Sequence, residues 1–385
     1  MAGPTSDDLL AEAVAQTGLD DFGPEAFREG LDAYVDALPE AQLSELGTMA
    51  LPGVIGAALA NRLKVIDWAK AHPEVTATPV EAPIVVIGMF RAGTTFLSNL
   101  LDQDRGNRPL LRWESGDSVP PPGDADFREG PRVDASKAGN DLLEALNPAI
   151  RGIHHEEADG PTECIAVMSQ DFKSLSWEAI ANVPSYGRWL RATDQTSAYE
   201  YHRLVLQVLQ SGGVGGRWTL KSPHHALALE ELTTVYPDAK LVLLHRDPVV
   251  LSASVCSLIN TLSGTFTDAD HQAYVAEHWT SMLEACVART DAFRADHPDH
   301  PIIDVHYADL VSDPSGTVAA LYDALGVELT GTAADAMAAY VAAHPKGSFG
   351  THGYDLASYG LDAAELADRF ADYVERYAIP TESAR

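Results

Sequence analysis

The chain has 385 residues, of which 46% are hydrophobic and 21% are charged. This composition is globular and excludes a fully disordered, collagen-like or coiled-coil chain. Acidic residues number 56 and basic residues 26, which gives a formal net charge of -30. Because a nucleic-acid-binding module needs a basic face, the charge argues against that class and against electrostatic attachment to anionic lipid. Any anionic ligand must be held by a few locally placed basic residues.

The cysteines and the N-terminus indicate a protein of a reducing compartment. Cys164, Cys256 and Cys286 are widely spaced and include no CxxC pair, so neither a disulfide framework nor a zinc site is expected. The N-terminus is acidic and has no basic or apolar signal region, and no membrane-spanning stretch is expected. The cytoplasm is therefore the simplest location.

Apolar residues recur at helical spacing between residues 6 and 72. After Ser6, for example, Leu9, Leu10 and Ala13 fall on one helix face. The pattern predicts a helical N-terminal extension over 1–78. We expect it to pack as a cap on the main domain, with a lid or interaction arm as the alternative.

Strand-like and helix-like segments alternate from Pro83 onward. The apolar run Ile84 to Ile87 is typical of a strand buried on both faces. Further strands are predicted over 218–220, 240–244 and 302–307, and helices over 94–101, 225–235, 248–260 and 314–325. This alternation predicts an α/β domain over 79–385, with a P-loop-type, mostly parallel sheet flanked by helices. The segment 115–140 is rich in Pro, Gly and Asp and is predicted to be a surface loop.

Two glycines five positions apart, Gly88 and Gly93, separate the first predicted strand from its helix. Such a turn points backbone N–H groups inward, and the helix N-terminus adds partial positive charge, so the loop can bind a phosphate-like anion. The spacing is that of a P-loop, but Thr94 stands where the P-loop has Lys. Arg91, inside the loop, supplies the positive charge instead. This substitution disfavours an ordinary ATPase or GTPase.

The run Arg91-Ala92-Gly93-Thr94-Thr95-Phe96-Leu97 resembles the 5′-phosphosulfate-binding loop of sulfotransferases that use 3′-phosphoadenosine-5′-phosphosulfate (PAPS). The usual family form is R/K-S-G-T-T, so Ala92 departs by losing one hydroxyl. A second family element, a strand that ends in Arg with Ser eight positions later, is matched by Arg246 and Ser254. The resemblance covers roughly 83–378 and is strongest to the large bacterial branch that carries a helical N-terminal extension.

The resemblance implies a PAPS site whose product is adenosine 3′,5′-bisphosphate. The residues implied to hold the 5′-phosphate and sulfonate are Arg91, Ala92, Gly93, Thr94, Thr95 and Phe96. Arg246 and Ser254 are implied to bind the 3′-phosphate, and Lys346 and Gly347 resemble a late basic-Gly pair that closes on it. Tyr307 matches a family tyrosine near the adenine, with core packing as the alternative.

The family also suggests candidates for the catalytic residues. Lys221 ends the second predicted strand and is implied to stabilise charge in the transition state. The acceptor must lose a proton as the new bond forms, and Glu114, 23 positions after Arg91, ranks first as the base. Trp113 beside it is expected to desolvate the carboxylate and raise its pKa. His224 ranks close behind.

Weaker candidates for the base are His225, His155 and Glu163. The doublets 154–155 and 224–225 do not predict a metal site, because adjacent residues point to different sides and no third ligand is spaced to join them.

The leading hypothesis is a PAPS-dependent sulfotransferase that transfers a sulfuryl group, in line and without a metal, to a hydroxyl or amine of a small-molecule acceptor. One alternative is a P-loop kinase or NTPase in which Asp247 binds Mg²⁺. Another is a non-catalytic nucleotide-binding relative, favoured if Glu114, Lys221 and His224 all lie far from the loop. The motifs do not fix the oligomeric state.

Overall fold

The computed structural model describes residues 3–153, 156–345 and 355–382, and the statements below concern these residues. A five-stranded parallel sheet lies at the centre, in the order β2-β3-β1-β4-β5. The strands are β1 (Ile84–Gly88), β2 (Asn107–Pro109), β3 (Arg217–Lys221), β4 (Lys240–His245) and β5 (Ile302–His306). The predicted α/β fold with a parallel sheet is confirmed.

The strand order brings the ends of β1, β3 and β4 to one edge of the sheet. Val86 of β1 is in register with Lys221, the last residue of β3, and Gly88 is in register with Leu244 of β4. The chain leaves β1 toward β2 on one side and later crosses to β4 on the other. Ligands of open α/β sheets bind at the carboxyl ends of strands, at such a switch in direction.

Helices flank the sheet. Before the sheet lie α1 (Ser6–Thr17), α2 (Ala26–Ala37), α3 (Glu45–Ala71) and α4 (Glu74–Ala77). Between β1 and β3 lie α5 (Thr94–Leu101), α6 (Arg112–Gly116), α7 (Pro131–Leu146), α8 (Ala149–Ile153), α9 (Ile165–Met168), α10 (Leu175–Ile180), α11 (Pro184–Ala192) and α12 (Thr196–Gln210). The later helices are α13 (Leu229–Val235), α14 (Pro248–Ser263), α15 (Gln272–Asp296), α16 (Tyr307–Ser312), α17 (Pro314–Leu325), α18 (Gly331–Ala343), α19 (Ala363–Arg369) and α20 (Ala371–Arg376). Short 3-10 helices span Leu38–Ala41, Ser169–Asp171, Pro223–Leu227 and Leu356–Tyr359.

The N-terminal helices share one continuous apolar core with the sheet. Arg62 of α3 crosses into the main body, where its guanidinium forms a buried ion pair with Asp171 at 3.0 Å. The same guanidinium lies over the rings of Phe27 and Tyr201, at 4.4 and 4.5 Å from their centroids. These contacts favour the packed cap over a free arm. The boundary between 78 and 79 stays a prediction.

Helix α3 also bears on the expectation that no segment spans a membrane. Among the described residues it is the one helix that is long and apolar enough to cross a bilayer. Half of its most apolar 18-residue window is buried inside the protein. Burial of this kind is what a core helix shows.

The structure differs from the sequence prediction at two places between β1 and β3. The sequence predicts a loop over the whole segment 115–140. In the structure, α7 begins at Pro131 and continues past the end of that segment to Leu146. Proline suits the first position of a helix because its missing N–H has no intrahelical partner there. Strand β2 was not predicted, since its three residues are too few to show a period. By contrast, α5 and α17 have the predicted bounds.

Candidate active site

The loop between β1 and α5 has two backbone positions in the left-handed region. Arg91 has φ 69° and Gly93 has φ 102°. A non-glycine residue at positive φ is uncommon, and such strain concentrates at functional sites. The first hydrogen bond into α5 runs from the amide of Leu97 to the carbonyl of Gly93 at 3.2 Å. The amides of the preceding three residues, 94–96, therefore have no acceptor within the helix and can bind an anion.

Both the positive φ at position 93 and the close approach of the Tyr307 ring favour glycine there. A Cβ atom at this position would lie 2.6 Å from Cδ2 of Tyr307. Tyr307 is the first residue after β5, which is separated from β1 by β4, and its ring lies against the loop at Gly93. Any side chain at position 93 must displace that ring.

Arg91, Arg246 and Ser254 come together at this edge of the sheet. Arg91 donates from Nε to Oγ of Ser254 at 3.2 Å, and Arg246 donates from Nη1 to the carbonyl oxygen of Arg91 at 3.0 Å. Ser254 lies on α14, which begins directly after β4 and is capped by Asp247, whose Oδ1 accepts from the amide of Val249 at 2.9 Å. The two elements singled out in the sequence therefore form one cluster.

Arg246 has further contacts that orient its guanidinium. Its Cζ lies 4.0 Å from the centroid of the Tyr307 ring. Its Nε and Nη2 donate to the two carboxylate oxygens of Glu382, at 2.8 and 2.9 Å. Arg246 is thus held by the Tyr307 ring near its Cζ and by the two hydrogen bonds to Glu382 along one edge.

Lys221 reaches the other side of the same loop. Its Nζ donates to Oγ1 of Thr95 at 3.2 Å, and the side chain is almost fully buried. Two carboxylates flank its ammonium group, since Oε1 of Glu156 lies at 3.5 Å and Oε1 of Glu163 at 3.6 Å from Nζ. The backbone fixes this arrangement, because the amide of Cys164 donates to the carbonyl of Lys221 at 2.9 Å.

The geometry of Glu114 does not support its predicted role as the base. Its side chain is fully buried, and both oxygens accept from the guanidinium of Arg108, at 2.5 and 2.7 Å. One oxygen also accepts from the amide of Leu111 at 3.0 Å, which caps the N-terminus of α6. Trp113 is expected from sequence to desolvate this carboxylate, but Arg108 donates to both of its oxygens, so the two residues form a buried ion pair.

His224 is likewise engaged in the interior. Its Nδ1 accepts from the amide of Leu175 at 3.4 Å, and its Nε2 pairs with Oε1 of Gln195. Burial, with a smaller contribution from the charge of Arg289, lowers the pKa of His224 to about 3. Both ring nitrogens are occupied, with the proton on Nε2. The ring therefore has no free lone pair with which to take a proton from the acceptor substrate. The neighbouring His225 is buried as well and pairs through Nδ1 with the hydroxyl of Tyr199 at 2.9 Å.

Three predicted residues, His155, Lys346 and Gly347, lie outside the described residues. Conversely, the structure brings two unpredicted residues to the site, Glu156 and Glu382. Glu156 lies in an acidic run beside a histidine doublet, and that run is the sequence feature that could have marked it as a site residue. Glu382 lies in a short polar tail with no pattern that marks it.

A parallel sheet with a glycine loop at the end of its first strand, and with cations converging on that loop, is typical of the P-loop class of group-transfer enzymes. Residues 83–331, more than half of the chain, match the model of the sulfotransferase family. The chain belongs to this family and is a sulfotransferase, and the family implies a sulfuryl donor. This membership favours a sulfotransferase over the kinase-like alternative, and the contact of Lys221 with the loop disfavours the non-catalytic one.

Solved structures of two mycobacterial sulfotransferases resemble the whole chain. Sulfotransferase STF9 from Mycobacterium avium superposes with a TM-score of 0.89 at 33% identity, over 98% of each chain. Sulfotransferase STF1 from Mycobacterium tuberculosis H37Rv superposes with a TM-score of 0.86 at 34% identity, over 96% of this chain and 99% of the other.

A more distant relative is the omega-hydroxy-beta-dihydromenaquinone-9 sulfotransferase Stf3 of Mycobacterium tuberculosis (strain CDC 1551 / Oshkosh). It is 23% identical over 332 residues, which cover 82% of this chain and 79% of the relative.

Proposed function

We propose that this sulfotransferase takes its sulfuryl group from PAPS and transfers it to a hydroxyl group of a small-molecule acceptor. The observation that carries the proposal is the cluster of Arg91, Arg246 and Ser254 beside the amides that begin α5. One half of the cluster belongs to the loop after β1 and the other half follows β4. A donor with phosphates at both the 5′ and 3′ positions needs two such adjacent anion sites.

The residues present fit that donor. The loop amides and Arg91 would hold the 5′-phosphate and the sulfonate, and Arg246 with Ser254 would hold the 3′-phosphate. Bound PAPS supplies an activated sulfuryl group whose S–O bond to the 5′-phosphate is broken in the transfer. An aspartate-bound magnesium is not needed for this assignment, because Asp247 caps α14 and accepts from the amide of Glu382 at 2.8 Å.

Lys221 is the residue we assign to the charge that builds up during transfer. Its ammonium group touches Thr95, the second residue of α5, and so lies where the sulfonate would sit against the helix start. A cation fixed in a buried site stabilises developing negative charge more strongly than it does in water. The two flanking carboxylates hold its ammonium group in this position.

We assign the base to Glu163. It lies 3.6 Å from Nζ of Lys221, and its side chain is more exposed than that of Glu156, 16% against 8%. Glu156 is held more firmly, since Oε2 also accepts from Oγ1 of Thr162 at 3.1 Å and lies 3.6 Å from the guanidinium of Arg112. A carboxylate that can still reach a ligand is the better proton acceptor.

The acceptor class is proposed from the relative whose name states it. Stf3 is named for an omega-hydroxy menaquinone derivative, which names a hydroxyl group on the molecule. We extend the hydroxyl to this chain and prefer it to the amine that the family also permits. The net charge of -30 agrees with an acceptor that is not a polyanion.

Calorimetric titration with adenosine 3′,5′-bisphosphate tests the donor. We expect stoichiometric binding, weakened about tenfold or more in Arg246→Gln, because a charge-assisted hydrogen-bond partner of the 3′-phosphate is lost. Adenosine 5′-phosphate, which lacks that phosphate, should bind both proteins alike. Arg369→Gln is the control, since it removes the same charge from a residue paired with Glu284 at the surface. Absence of bisphosphate binding by the unmodified protein would overturn the proposal.

A further inference from the structure

The last described part of the chain, residues 371–382, passes directly beside the proposed donor site. We name it the C-terminal strap. Helix α20 of the strap is fastened to His245, the residue before Arg246. The hydroxyl of Tyr373 pairs with Nδ1 of His245 at 2.9 Å, and the ring of Tyr377 stacks on His245 with centroids 4.4 Å apart. Beyond α20, Ile379 is buried in the core, with 6% of its surface exposed.

The end of the strap is fixed to the two residues that follow His245. The carboxylate of Glu382 binds the guanidinium of Arg246 through two parallel hydrogen bonds of 2.8 and 2.9 Å. The amide of Glu382 donates to Oδ2 of Asp247 at 2.8 Å. Side-chain and backbone contacts together therefore set the carboxylate on this edge of Arg246.

The contact has the form that a phosphate would take. A guanidinium binds carboxylate and phosphate alike through a pair of parallel N–H···O bonds. The edge formed by Nε and Nη2 of Arg246 is used by Glu382, while Nη1 is used by the carbonyl of Arg91. A 3′-phosphate bound by the same fork must take the place of the Glu382 carboxylate.

We propose that Glu382 is an internal competitor for the 3′-phosphate site, so that the C-terminal strap lowers the affinity of the enzyme for 3′-phosphorylated adenosine nucleotides. This inference rests on the proposed function, since it assigns the 3′-phosphate to Arg246. The competing carboxylate neutralises Arg246 when no nucleotide is present and returns to it as the product leaves. Tyr373, Tyr377 and Ile379 hold the root of the strap in place, so that displacement is confined to its end.

Ligands fall into two groups under this proposal. A nucleotide with a 3′-phosphate must break the ion pair between Glu382 and Arg246, and its apparent affinity is reduced by the fraction of molecules in which that pair is closed. A nucleotide without the 3′-phosphate leaves the pair intact. The side chains of Arg246 and Glu382 are 15% and 31% exposed, so the pair has the modest strength of a solvent-screened contact.

The test compares Glu382→Gln with the unmodified enzyme in calorimetric titrations. Gln keeps the shape of the side chain and removes its charge. We expect adenosine 3′,5′-bisphosphate to bind about fivefold more tightly to the variant, and adenosine 5′-phosphate to bind with unchanged affinity. Glu375→Gln is the matched control, because Glu375 is an exposed acidic residue of α20 in the same strap. It should leave both affinities unchanged.

The outcomes separate this inference from the proposed function. If the unmodified enzyme does not bind the bisphosphate, the proposed function fails. If it binds and Glu382→Gln binds with the same affinity as Glu375→Gln, the donor site stands and the competitor is refuted. Weaker binding by Glu382→Gln also refutes it, since Glu382 then supports the ligand. Equal tightening for both nucleotides would assign the effect to general charge and not to the 3′-phosphate.

Discussion

Arg246 donates a hydrogen bond to the backbone carbonyl of Arg91 over 3.0 Å, although the two residues are 155 positions apart in the chain. The bond joins the ends of β1 and β4, which are neighbours in the sheet. The two arginines therefore lie together at the carboxyl ends of β1 and β4. A donor with two phosphates is the simplest ligand for such a pair, and the predictions below test what the surrounding side chains contribute.

Replacing Lys221 tests its role in the transition state. We expect Lys221→Met to lower kcat by about 100-fold to 1,000-fold, because a fixed cation next to the transferred group is lost. Binding of adenosine 3′,5′-bisphosphate should change little, since that product lacks the sulfonate. Steady-state kinetics and calorimetry on the same preparation check both expectations. The control is Lys64→Met, at a half-exposed lysine paired with Asp117.

A loss of bisphosphate binding equal to the loss of kcat would contradict this assignment. It would mean that Lys221 supports the loop itself through Thr95.

The pair Glu163→Gln and Glu156→Gln tests which carboxylate is the base. We expect Glu163→Gln to lower kcat by about 100-fold or more while KM for the donor stays near its original value, because removing a general base slows only the chemical step. Glu156→Gln removes the same charge from the same lysine and is the matched comparison. Its expected effect on kcat is smaller than tenfold.

Initial rates with saturating donor separate the two variants. The reverse ranking would move the base to Glu156, and equal small effects would show that neither carboxylate takes the proton.

Glu114 is expected to matter for stability instead of catalysis. Glu114→Gln leaves the buried guanidinium of Arg108 without its charge partner, and breaking one side of a buried ion pair costs about 3–5 kcal/mol. Urea denaturation should show a lower free energy of unfolding by about that amount, while kcat per folded molecule changes less than threefold. Glu129→Gln, at an exposed glutamate, should leave the free energy of unfolding unchanged.

Removing both partners provides a second comparison. Arg108→Met combined with Glu114→Met should recover part of the lost stability, because no unpaired charge remains buried. A kcat that collapses in Glu114→Gln at full stability would restore Glu114 as the base.

The loop and the ends of β1 and β4 were predictable from sequence because each is a short consecutive run with its own signal. Gly88 and Gly93 mark the turn, and the apolar run before Arg246 marks a buried strand. The residue that we propose as the base, Glu163, ranks only among the weaker candidates from the sequence. Glu163 reaches Lys221 only because the backbone at Cys164 pairs with the end of β3.

The structure disfavours Glu114 as the base for a related physical reason. Its spacing from Arg91 matches the family, but Arg108, six positions before Glu114, takes both of its carboxylate oxygens. A sequence pattern shows that a carboxylate is present, but it does not show which cation pairs with that carboxylate in the folded protein. Glu382 shows the same limit, since its contact with Arg246 depends on how the C-terminal strap packs on His245.

The pH dependence of stability tests the interpretation of His224. Burial lowers its pKa to about 3 in the folded protein, whereas in the unfolded chain it titrates near 6.5. Below about pH 6.5 the unfolded state therefore binds a proton that the folded state does not. Folding stability must fall as the pH drops from about 6.5 toward about 3, by up to about 1.4 kcal/mol per pH unit for this residue.

His224→Gln should remove this contribution. We expect the free energy of unfolding, measured in urea at about pH 7 and about pH 5, to fall less steeply with decreasing pH in the variant than in the unmodified enzyme. The difference in slope should correspond to the uptake of about one proton on unfolding. His202, whose pKa burial also lowers to about 3, keeps its own contribution in both proteins. If instead the slope is unchanged and kcat at neutral pH falls by about 100-fold or more, His224 exchanges protons with the acceptor and the assignment of Glu163 is wrong.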